Sequence, residues 1–219
     1  MKSKKGFLCA FSAAILCVPS LMAPGISLVQ TQKLEEKRLI DAVKKRTVSV
    51  QCSLHTGTGV VVSDGRVIAS YHLLGGGGAG TEACKVDNKP AKVIWANSRD
   101  DLTVFRAETG HAEPVETLEN VGDGEEVFWV GIVDGRKFVF FGRVVTSDTE
   151  GIYTSTFGFS GSSGSGLWTL DGKLVGIQSE RYCFKEQGCP TSKAVPIGKA
   201  KRMLAKLEEK ANAASASNQ

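Results

Sequence analysis

Short runs of β-branched and aromatic residues, separated by turn residues, occupy most of the chain after Thr47. They are VSVQC, GVVV, RVIAS, AKVIWA, LTVFRA, EVFWVGIV, KFVFFGRVV, IYTSTF, KLVGIQS and KAVPI. Asp-Gly pairs at 64–65, 134–135 and 171–172 stand between neighbouring runs, and Asp-Gly is a strong hairpin signal. About ten short strands with tight turns predict an all-β sandwich or barrel and argue against βαβ units.

Helical periodicity marks both ends of this strand-rich region. Residues 31–46 contain neither glycine nor proline, and their narrow apolar stripe predicts a short, highly charged helix packed on a larger body. Apolar residues recur at i, i+3, i+7 and i+10 from residue 197, which predicts a second helix. The stripes are Leu39, Ile40 and Val43 in the first helix and Ile197, Ala200, Leu204 and Leu207 in the second. Residues 212–219 are small and polar, and we expect them to be disordered.

Residues 1–27 have the pattern of an export signal. A cationic start (residues 1–5) precedes an apolar run (residues 6–23), and small residues stand just before Leu28. The run is short for a membrane span and contains Pro19, so we expect a cleaved signal rather than an uncleaved anchor. The mature chain is then periplasmic or secreted, without stable membrane insertion.

The formal net charge of +4 on the 219-residue chain is concentrated in this signal. Residues 1–27 hold three lysines and no acidic residue, which leaves 24 basic and 23 acidic side chains in the rest of the chain. A nearly neutral mature chain gives no compositional support for nucleic-acid binding. The hydrophobic fraction of 42% and the charged fraction of 23% exclude a disordered chain and a polytopic membrane protein.

Four cysteines follow the signal, namely Cys52, Cys84, Cys183 and Cys189. In an exported protein they favour two disulfides, although the sequence alone allows three pairings. Cys183 and Cys189 are close enough in sequence for a local bond, which leaves Cys52 and Cys84 as the other pair. A zinc site is the alternative, but the spacings match no common zinc-ligand pattern, and we expect no metal.

The glycine-rich segment 159–168, FSGSSGSGLW, is the strongest candidate for chemistry. Its three glycines allow sharp turns that gather backbone N–H groups in a small space. A serine in such a turn can act as a nucleophile beside an oxyanion hole formed by its own backbone. The alternative is a flexible Gly/Ser linker, which the shortness of the segment and its place between two strand runs disfavour.

A nucleophilic serine needs a base, and the chain contains three histidines. His72 is the candidate because it ends the run RVIASYH, where its ring can sit at the rim of a barrel. The others are His55, in a turn, and His111, in a polar connection. Asp101 is favoured over Asp100 as the group that orients the base, because alternation puts it closest to the start of the next strand. The order His72, Asp101, Ser163 is one of the known arrangements of a Ser-His-Asp triad.

In these motifs the chain resembles the chymotrypsin-fold serine proteases, and most of all the protease domain of the bacterial high-temperature-requirement family. The similar segments are GTGVVV (57–62), DGRVIASYH (64–72), DLTVF (101–105), VGD (121–123), VFWVG (127–131), GSSGSGL (161–167), DGKLVGI (171–177) and AVPI (194–197). The resemblance implies a trypsin-like protease domain over 47–211 with two antiparallel six-stranded β-barrels, flanked by an N-terminal helical segment (28–46) and a C-terminal helix. The barrels would cover about 47–110 and about 121–198. No cofactor and no PDZ domain are expected.

The resemblance also assigns roles in the cleavage of a polypeptide substrate. Ser163 would be the nucleophile, His72 the general base and then acid, and Asp101 the carboxylate that orients His72. The backbone N–H groups of Gly161 and Ser163 would form the oxyanion hole. These roles describe an endopeptidase that works through an acyl-enzyme.

Three further residues would contact the substrate. Ser179 and Arg181 belong to a segment that would run beside the substrate as an added strand. The family's spacing puts Phe157 near the base of the specificity pocket. Arg181 would either face an acidic side chain of the substrate or point to solvent.

Departures from the family's pattern keep a second function open. Ser70-Tyr71 replaces the small residues that usually precede the histidine, which would crowd the site, and Ser165-Gly166 replaces Gly-Pro after the serine. Ser162 stands where many trypsin-like enzymes carry an aspartate that pairs with a new N-terminus, so we expect no activation by N-terminal cleavage. The alternative is a catalytically inactive, protease-like binding protein. A small esterase is disfavoured because Ser163 lies in a β–β loop rather than a strand-to-helix elbow.

Overall fold

The computed structural model describes residues 28–75, 83–110, 113–184 and 188–216. It consists of two closed antiparallel β-barrels of six strands each, with a helix before the first barrel and another after the second. This architecture confirms the predicted fold class. The expected export signal (1–27) and His111 lie outside the described residues, as do the side chains of Arg181, Cys183 and Cys189 and therefore the second expected disulfide.

Barrel one follows helix α1 and holds the first half of the strands. Its elements are α1 (Leu28–Arg46), β1 (Thr47–Cys52), β2 (His55–Ser63), β3 (Arg66–Ala69), β4 (Cys84–Val86), β5 (Lys89–Asn97) and β6 (Leu102–Arg106), with a short 3₁₀-helix (Tyr71–Leu74) after β3. The strands close in the order β1-β2-β3-β6-β5-β4. Since β3 and β6 are antiparallel neighbours, the segment that leaves β3 and the segment that enters β6 lie at the same rim.

Barrel two is built from the second half of the strands and ends in helix α2. Its elements are β7 (Glu126–Val133), β8 (Arg136–Ser147), β9 (Ile152–Thr154), β10 (Gly166–Thr169), β11 (Leu174–Phe184), β12 (Gly188–Pro196) and α2 (Ile197–Ala216). They close in the order β10-β11-β12-β9-β8-β7. The loop between β9 and β10 carries the glycine-rich serine motif.

Two of the three Asp-Gly signals, 64–65 and 134–135, are two-residue turns, whereas 171–172 lies in the four-residue connection between β10 and β11. Asp134 and Gly135 join β7 to β8, and both have positive φ angles, 48° and 73°. Asp87 and Asn88 join β4 to β5 with φ angles of 46° and 64°. Positive φ at both central residues is the requirement of a type I′ turn, whose twist matches that of the flanking strands.

A single cluster of buried apolar side chains extends through both barrels and both helices. It includes Val60, Ile68 and Val104 from barrel one, Phe128, Trp168 and Ile177 from barrel two, Val43 from α1, and Ile197, Ala200 and Met203 from α2. The predicted stripes of α1 and α2 pack against or belong to this cluster. Burial of apolar surface is the dominant favourable contribution to folding, so this shared cluster holds the barrels together.

Helix α2 continues through Ala216, although we expected disorder from residue 212. Alanines at 211, 213, 214 and 216 account for the difference, because alanine has the highest intrinsic helix propensity of the common residues. Residues 217–219 lie outside the described chain.

The structure joins Cys52 to Cys84 in a disulfide, the pair expected after the local pairing of the other two cysteines. The two residues face each other at the ends of β1 and β4, with their Cα atoms 4.2 Å apart. Both side chains are buried. The bond therefore closes barrel one at its shortest strand.

Removal of this disulfide with Cys52→Ala/Cys84→Ala is expected to lower the free energy of unfolding by about 2–4 kcal/mol, because the bond restrains the unfolded chain over a long loop. Urea unfolding followed by circular dichroism measures the change. Wild-type protein treated with a reductant is the control and should approach the stability of the double variant. Equal stability of the oxidised wild type and the double variant would contradict the expectation.

Candidate active site

His72 and Asp101 meet at the rim of barrel one. His72 lies in the 3₁₀-helix that follows β3, and Asp101 directly precedes β6, the neighbour of β3. Nδ1 of His72 is 2.9 Å from Oδ2 of Asp101 and 3.1 Å from Oδ1. Oδ1 also accepts the backbone N–H of His72 at 2.9 Å. Both the ring and the backbone of the histidine are thus held by one carboxylate.

Asp100, the competing carboxylate in the sequence, is engaged elsewhere. Its Oδ2 accepts the amide of Asn97 at 2.7 Å, and its Oδ1 lies 3.3 Å from Nζ of Lys199 on α2. Asp101 itself has a φ of 50°, a left-handed conformation that Asp adopts more readily than most residues. The structure therefore pairs His72 with Asp101.

The serine loop presents Ser163 from barrel two. Gly161 and Gly164 have φ angles of 95° and 86°, and a Cβ on Gly164 would lie 1.9 Å from the carbonyl oxygen of Thr58. The N–H groups of Ser162 and Gly164 donate to the carbonyls of Phe159 and Gln178. Within the described chain, the N–H groups of Gly161 and Ser163 donate no hydrogen bond.

One pocket of about 250 Å³ brings the two barrels' contributions together. It is lined by His72, Ser163, Gly161, Ser179 and Glu180, among others, so every predicted triad member either lines it or contacts a residue that does. Oγ of Ser163 donates to the carbonyl of Ser179 at 3.5 Å. No hydrogen bond between Ser163 and His72 is present in the described residues, and such bonds are often long in the absence of substrate.

Ser179 contributes more than a place beside the substrate. Its hydroxyl donates to Oδ2 of Asp101, and its carbonyl accepts the hydroxyl of Ser163. It therefore touches both the orienting carboxylate and the nucleophile. The sequence pattern predicted Ser179 only as a substrate contact, since no local motif marks a bond between residues so far apart in the chain.

Comparison with known proteins places the chain in a family. The family model described as "Trypsin-like peptidase domain" matches residues 57–177, more than half of the chain, and this range includes His72, Asp101 and Ser163. The chain belongs to the trypsin-like peptidase family. The predicted relationship to chymotrypsin-fold serine proteases is thereby confirmed.

Two curated relatives of this trypsin-like peptidase carry the name "Probable periplasmic serine endoprotease DegP-like". The protein of Hahella chejuensis (strain KCTC 2396) is 27% identical over 172 residues, 70% of this chain and 36% of its own length. That of Rickettsia prowazekii (strain Madrid E) is 24% identical over 180 residues, 72% of this chain and 34% of its own length. The chain thus spans about a third of the length of these relatives.

Solved structures share the fold. An inactive mutant form of Rv3671c from M. tuberculosis H37Rv matches with a TM-score of 0.66 at 18% identity, over 80% of this chain and 93% of that one. The serine endoprotease from Yersinia pestis matches with a TM-score of 0.65 at 19% identity, over 78% of this chain and 66% of that one. At these identities the likeness shows the two-barrel fold alone.

The departures from the family's pattern have structural roles in this trypsin-like peptidase. The hydroxyl of Ser70 donates to the carbonyl of Gln178 at 2.9 Å and so links the two barrels. Tyr71 packs partly buried against the core of barrel one and does not line the pocket around Ser163, so it does not crowd that pocket. Ser162 bonds within its own loop, its hydroxyl donating to the carbonyl of Phe159 at 2.7 Å.

Phe157, expected near the base of the specificity pocket, is not part of the pocket around Ser163. Its side chain is 56% exposed and does not line the pocket, whereas Phe159, two residues later, does. The physical reason is packing, because the Phe159 ring lies 5.2 Å from that of Trp129 and 4.8 Å from that of Phe140. His55, an alternative base in the sequence, also lines the pocket but is exposed at its mouth.

Two further searches concern the described residues only. In that part of the chain, no three His, Cys, Asp or Glu side chains are grouped so that they could hold a metal ion. Neither of the two helices described is long and apolar enough to cross a membrane.

The two titrating groups of the site shift each other's pKa. The hydrogen bond to Asp101 raises the pKa of His72 above 6.5, partly opposed by burial, and the charges of Asp101 and Glu180 add to the rise. Burial tends to raise the pKa of Asp101, but hydrogen bonds from His72 and Ser179 outweigh it and lower that pKa below 3.8.

His72 thus stabilises the fold below about pH 6.5 and loses this effect as pH rises through its folded-state pKa. Asp101 stabilises the fold above its unfolded-state pKa and loses this effect as pH falls through its folded-state pKa.

Asp101→Asn is expected to lower the pKa of His72, because the carboxylate's hydrogen bond and charge are lost while the opposing burial remains. NMR titration of the His72 ring in a Ser163→Ala background measures this pKa without self-cleavage. Glu180→Gln is the matched control and should lower the pKa less, since Glu180 acts through its charge alone. An unchanged His72 pKa in Asp101→Asn would show that the carboxylate does not set it.

Proposed function

We propose that this trypsin-like peptidase is a serine endopeptidase whose protease domain covers residues 47–211. The observation that carries the proposal is the meeting of an Asp101–His72 pair with Ser163 around one pocket, beside two backbone N–H groups that have no acceptor among the described residues. A paired imidazole, a hydroxyl and free N–H donors are the groups that acyl transfer requires. The polypeptide substrate is inferred from the family.

The proposed reaction begins with attack of Ser163 Oγ on the scissile carbonyl carbon. Rotation of the Ser163 side chain away from the carbonyl of Ser179 brings its hydroxyl to Nε2 of His72, which takes the proton. Asp101 holds Nδ1 and stabilises the imidazolium that forms. The N–H groups of Gly161 and Ser163 receive the oxyanion of the tetrahedral intermediate.

Collapse of this intermediate breaks the C–N bond, and His72 gives its proton to the departing amine. The acyl group remains on Ser163 as an ester. A water molecule, deprotonated by His72, then attacks the ester carbonyl, and the second intermediate collapses to release the acid and restore the serine hydroxyl. Each step uses only groups that line the pocket or contact its lining.

Strand addition along β11 is the proposed mode of substrate binding. Pairing of β11 with β10 ends at Ile177, whereas pairing with β12 continues to Phe184. Among the described residues, no strand pairs with the other edge of residues 179–181, so an extended peptide can pair with it through its main-chain groups. Ser179 lies at a register shift between Gln178 and Glu180, where the strand bends at the pocket.

A protease-like binding protein without turnover is the second candidate. One observation favours it, namely that the Ser163 hydroxyl bonds to the carbonyl of Ser179 and not to His72. The two candidates share the fold and the substrate-binding edge. They differ in whether Ser163 can become a nucleophile.

Reaction with a fluorophosphonate probe separates these candidates. We expect wild-type protein to be labelled at Ser163 at neutral pH and to cleave a denatured protein substrate, with Ser163→Ala losing cleavage by on the order of 10⁶-fold. Ser162→Ala is the control for a neighbouring hydroxyl and should still be labelled. Folded wild-type protein that resists the probe would establish the binding protein instead.

Export of the chain is proposed from its N-terminal pattern and from the periplasmic names of its relatives. Cleavage before Leu28 would leave the mature chain beginning at helix α1.

N-terminal sequencing of the protein recovered from the periplasm or the culture medium is expected to give Leu28 as the first residue. Replacement of Lys2, Lys4 and Lys5 by glutamate should abolish export, because the cationic segment orients the apolar run during insertion. Substitution of Lys33, Lys37 and Arg38 by glutamate controls for the same change in charge. Recovery of the intact N-terminus in the membrane fraction would identify an uncleaved anchor.

A further inference from the structure

Thr58 on β2 of barrel one binds both residues that supply the candidate oxyanion donors. Its backbone N–H donates to the carbonyl of Ser163 at 2.8 Å. Its hydroxyl donates to the carbonyl of Gly161 at 2.7 Å. The side chain is completely buried.

The carbonyl of Gly161 can only accept, and the same hydroxyl oxygen of Thr58 has a further partner that can only donate. Oγ1 of Thr58 accepts the backbone N–H of Ile132 on β7 at 3.0 Å, and an N–H can only donate. The single hydroxyl hydrogen is therefore available for the carbonyl of Gly161. One buried side chain thus connects barrel one, the serine loop and barrel two.

This bond restrains a residue that has few other restraints. Gly161 has a φ of 95° and no Cβ, so local sterics leave its two peptide planes wide freedom of rotation. Its carbonyl is held by Thr58, while its N–H donates to nothing in the described chain. An N–H donor stabilises an oxyanion most when it already points to the place where the negative charge develops.

We propose that the Thr58 hydroxyl is a positioning group for the oxyanion hole, holding Gly161 so that its N–H faces the reacting carbonyl oxygen. This inference rests on the proposed endopeptidase function. Thr58 touches neither the substrate nor the reacting atoms, and it acts through Gly161. Its loss should therefore weaken binding of the transition state more than binding of the substrate.

Thr58→Val is the decisive variant because it replaces the hydroxyl by a methyl group of similar size. It leaves the N–H of Ile132 and the carbonyl of Gly161 buried without partners, whereas Thr58→Ser retains the bond. We expect Thr58→Val to lower kcat about 10- to 100-fold, where the upper value corresponds to removal of one oxyanion donor. KM should change less than about threefold. Thr58→Ser should retain kcat within about threefold of wild type.

Thr47→Val is the matched control for removal of a buried threonine hydroxyl. Thr47 is as buried as Thr58, and its hydroxyl donates to the carbonyl of Val43 at 2.8 Å, outside the site. Thr47→Val should lower the free energy of unfolding and leave kcat at the wild-type value. Thr58→Ala replaces Thr58→Val if circular dichroism shows that the valine variant does not fold.

Two readouts separate positioning from a general structural effect. The affinity of a peptidyl trifluoromethyl ketone, whose adduct with Ser163 carries an oxyanion, should fall in parallel with kcat/KM, while the affinity of the matching product peptide stays constant. In a Ser163→Ala background, Thr58→Val should shift the ¹⁵N–¹H resonance of Gly161, and Thr47→Val should not.

The possible results test the role of Thr58 and the endopeptidase function separately. Unchanged kcat and ketone affinity in folded Thr58→Val would overturn the role of Thr58 and leave the endopeptidase intact. A wild-type protein that never reacts at Ser163 would overturn the endopeptidase. The Gly161 resonance would then still test whether Thr58 holds this peptide, and an unshifted signal would overturn that claim.

Discussion

The candidate site depends on how the two barrels pack against each other. His72 and Asp101 belong to barrel one, whereas Ser163 belongs to barrel two, so no single barrel contains a complete triad. The apolar cluster that extends through both barrels supplies the attraction between them. Apolar burial is not directional, however, and by itself it does not fix the distance between a hydroxyl and an imidazole.

Hydrogen bonds across the interface provide the direction that apolar packing lacks. Gln178 illustrates this, because its carbonyl accepts the hydroxyl of Ser70 from barrel one and the N–H of Gly164 from the serine loop. In the bond from the hydroxyl of Ser179 to Asp101, the donor lies in barrel two and the acceptor in barrel one. Such bonds are buried or partly buried, so breaking one leaves a polar group without water as a replacement partner. Because each broken bond costs free energy, these hydrogen bonds favour one relative position of the barrels.

The sequence predicted the parts of the site that have local patterns. Three patterns can each be recognised within about ten residues, namely the glycines around Ser163, the strand run that ends in His72 and the run that begins at Asp101. Strands β4 and β10 were missed because β4 (CKV) holds a single β-branched residue and β10 (GLWT) begins inside the glycine-rich segment that carries Ser163. The bond between Thr58 and Gly161 joins residues 103 positions apart, and no local pattern encodes such a contact. Phe157 and Phe159 are likewise indistinguishable until Trp129 and Phe140 pack against one of them.

Hydroxyl groups rather than charged groups make several of these connections, which affects how the site responds to pH. Ser162 holds the serine loop through the carbonyl of Phe159, in a position where an aspartate would need a cationic partner. Thr58 and Ser70 likewise donate to carbonyls. A hydroxyl–carbonyl bond neither titrates near neutral pH nor waits for a new N-terminus. These hydrogen bonds do not titrate near neutral pH, so the pH response expected of the candidate site follows from the coupled His72–Asp101 pair.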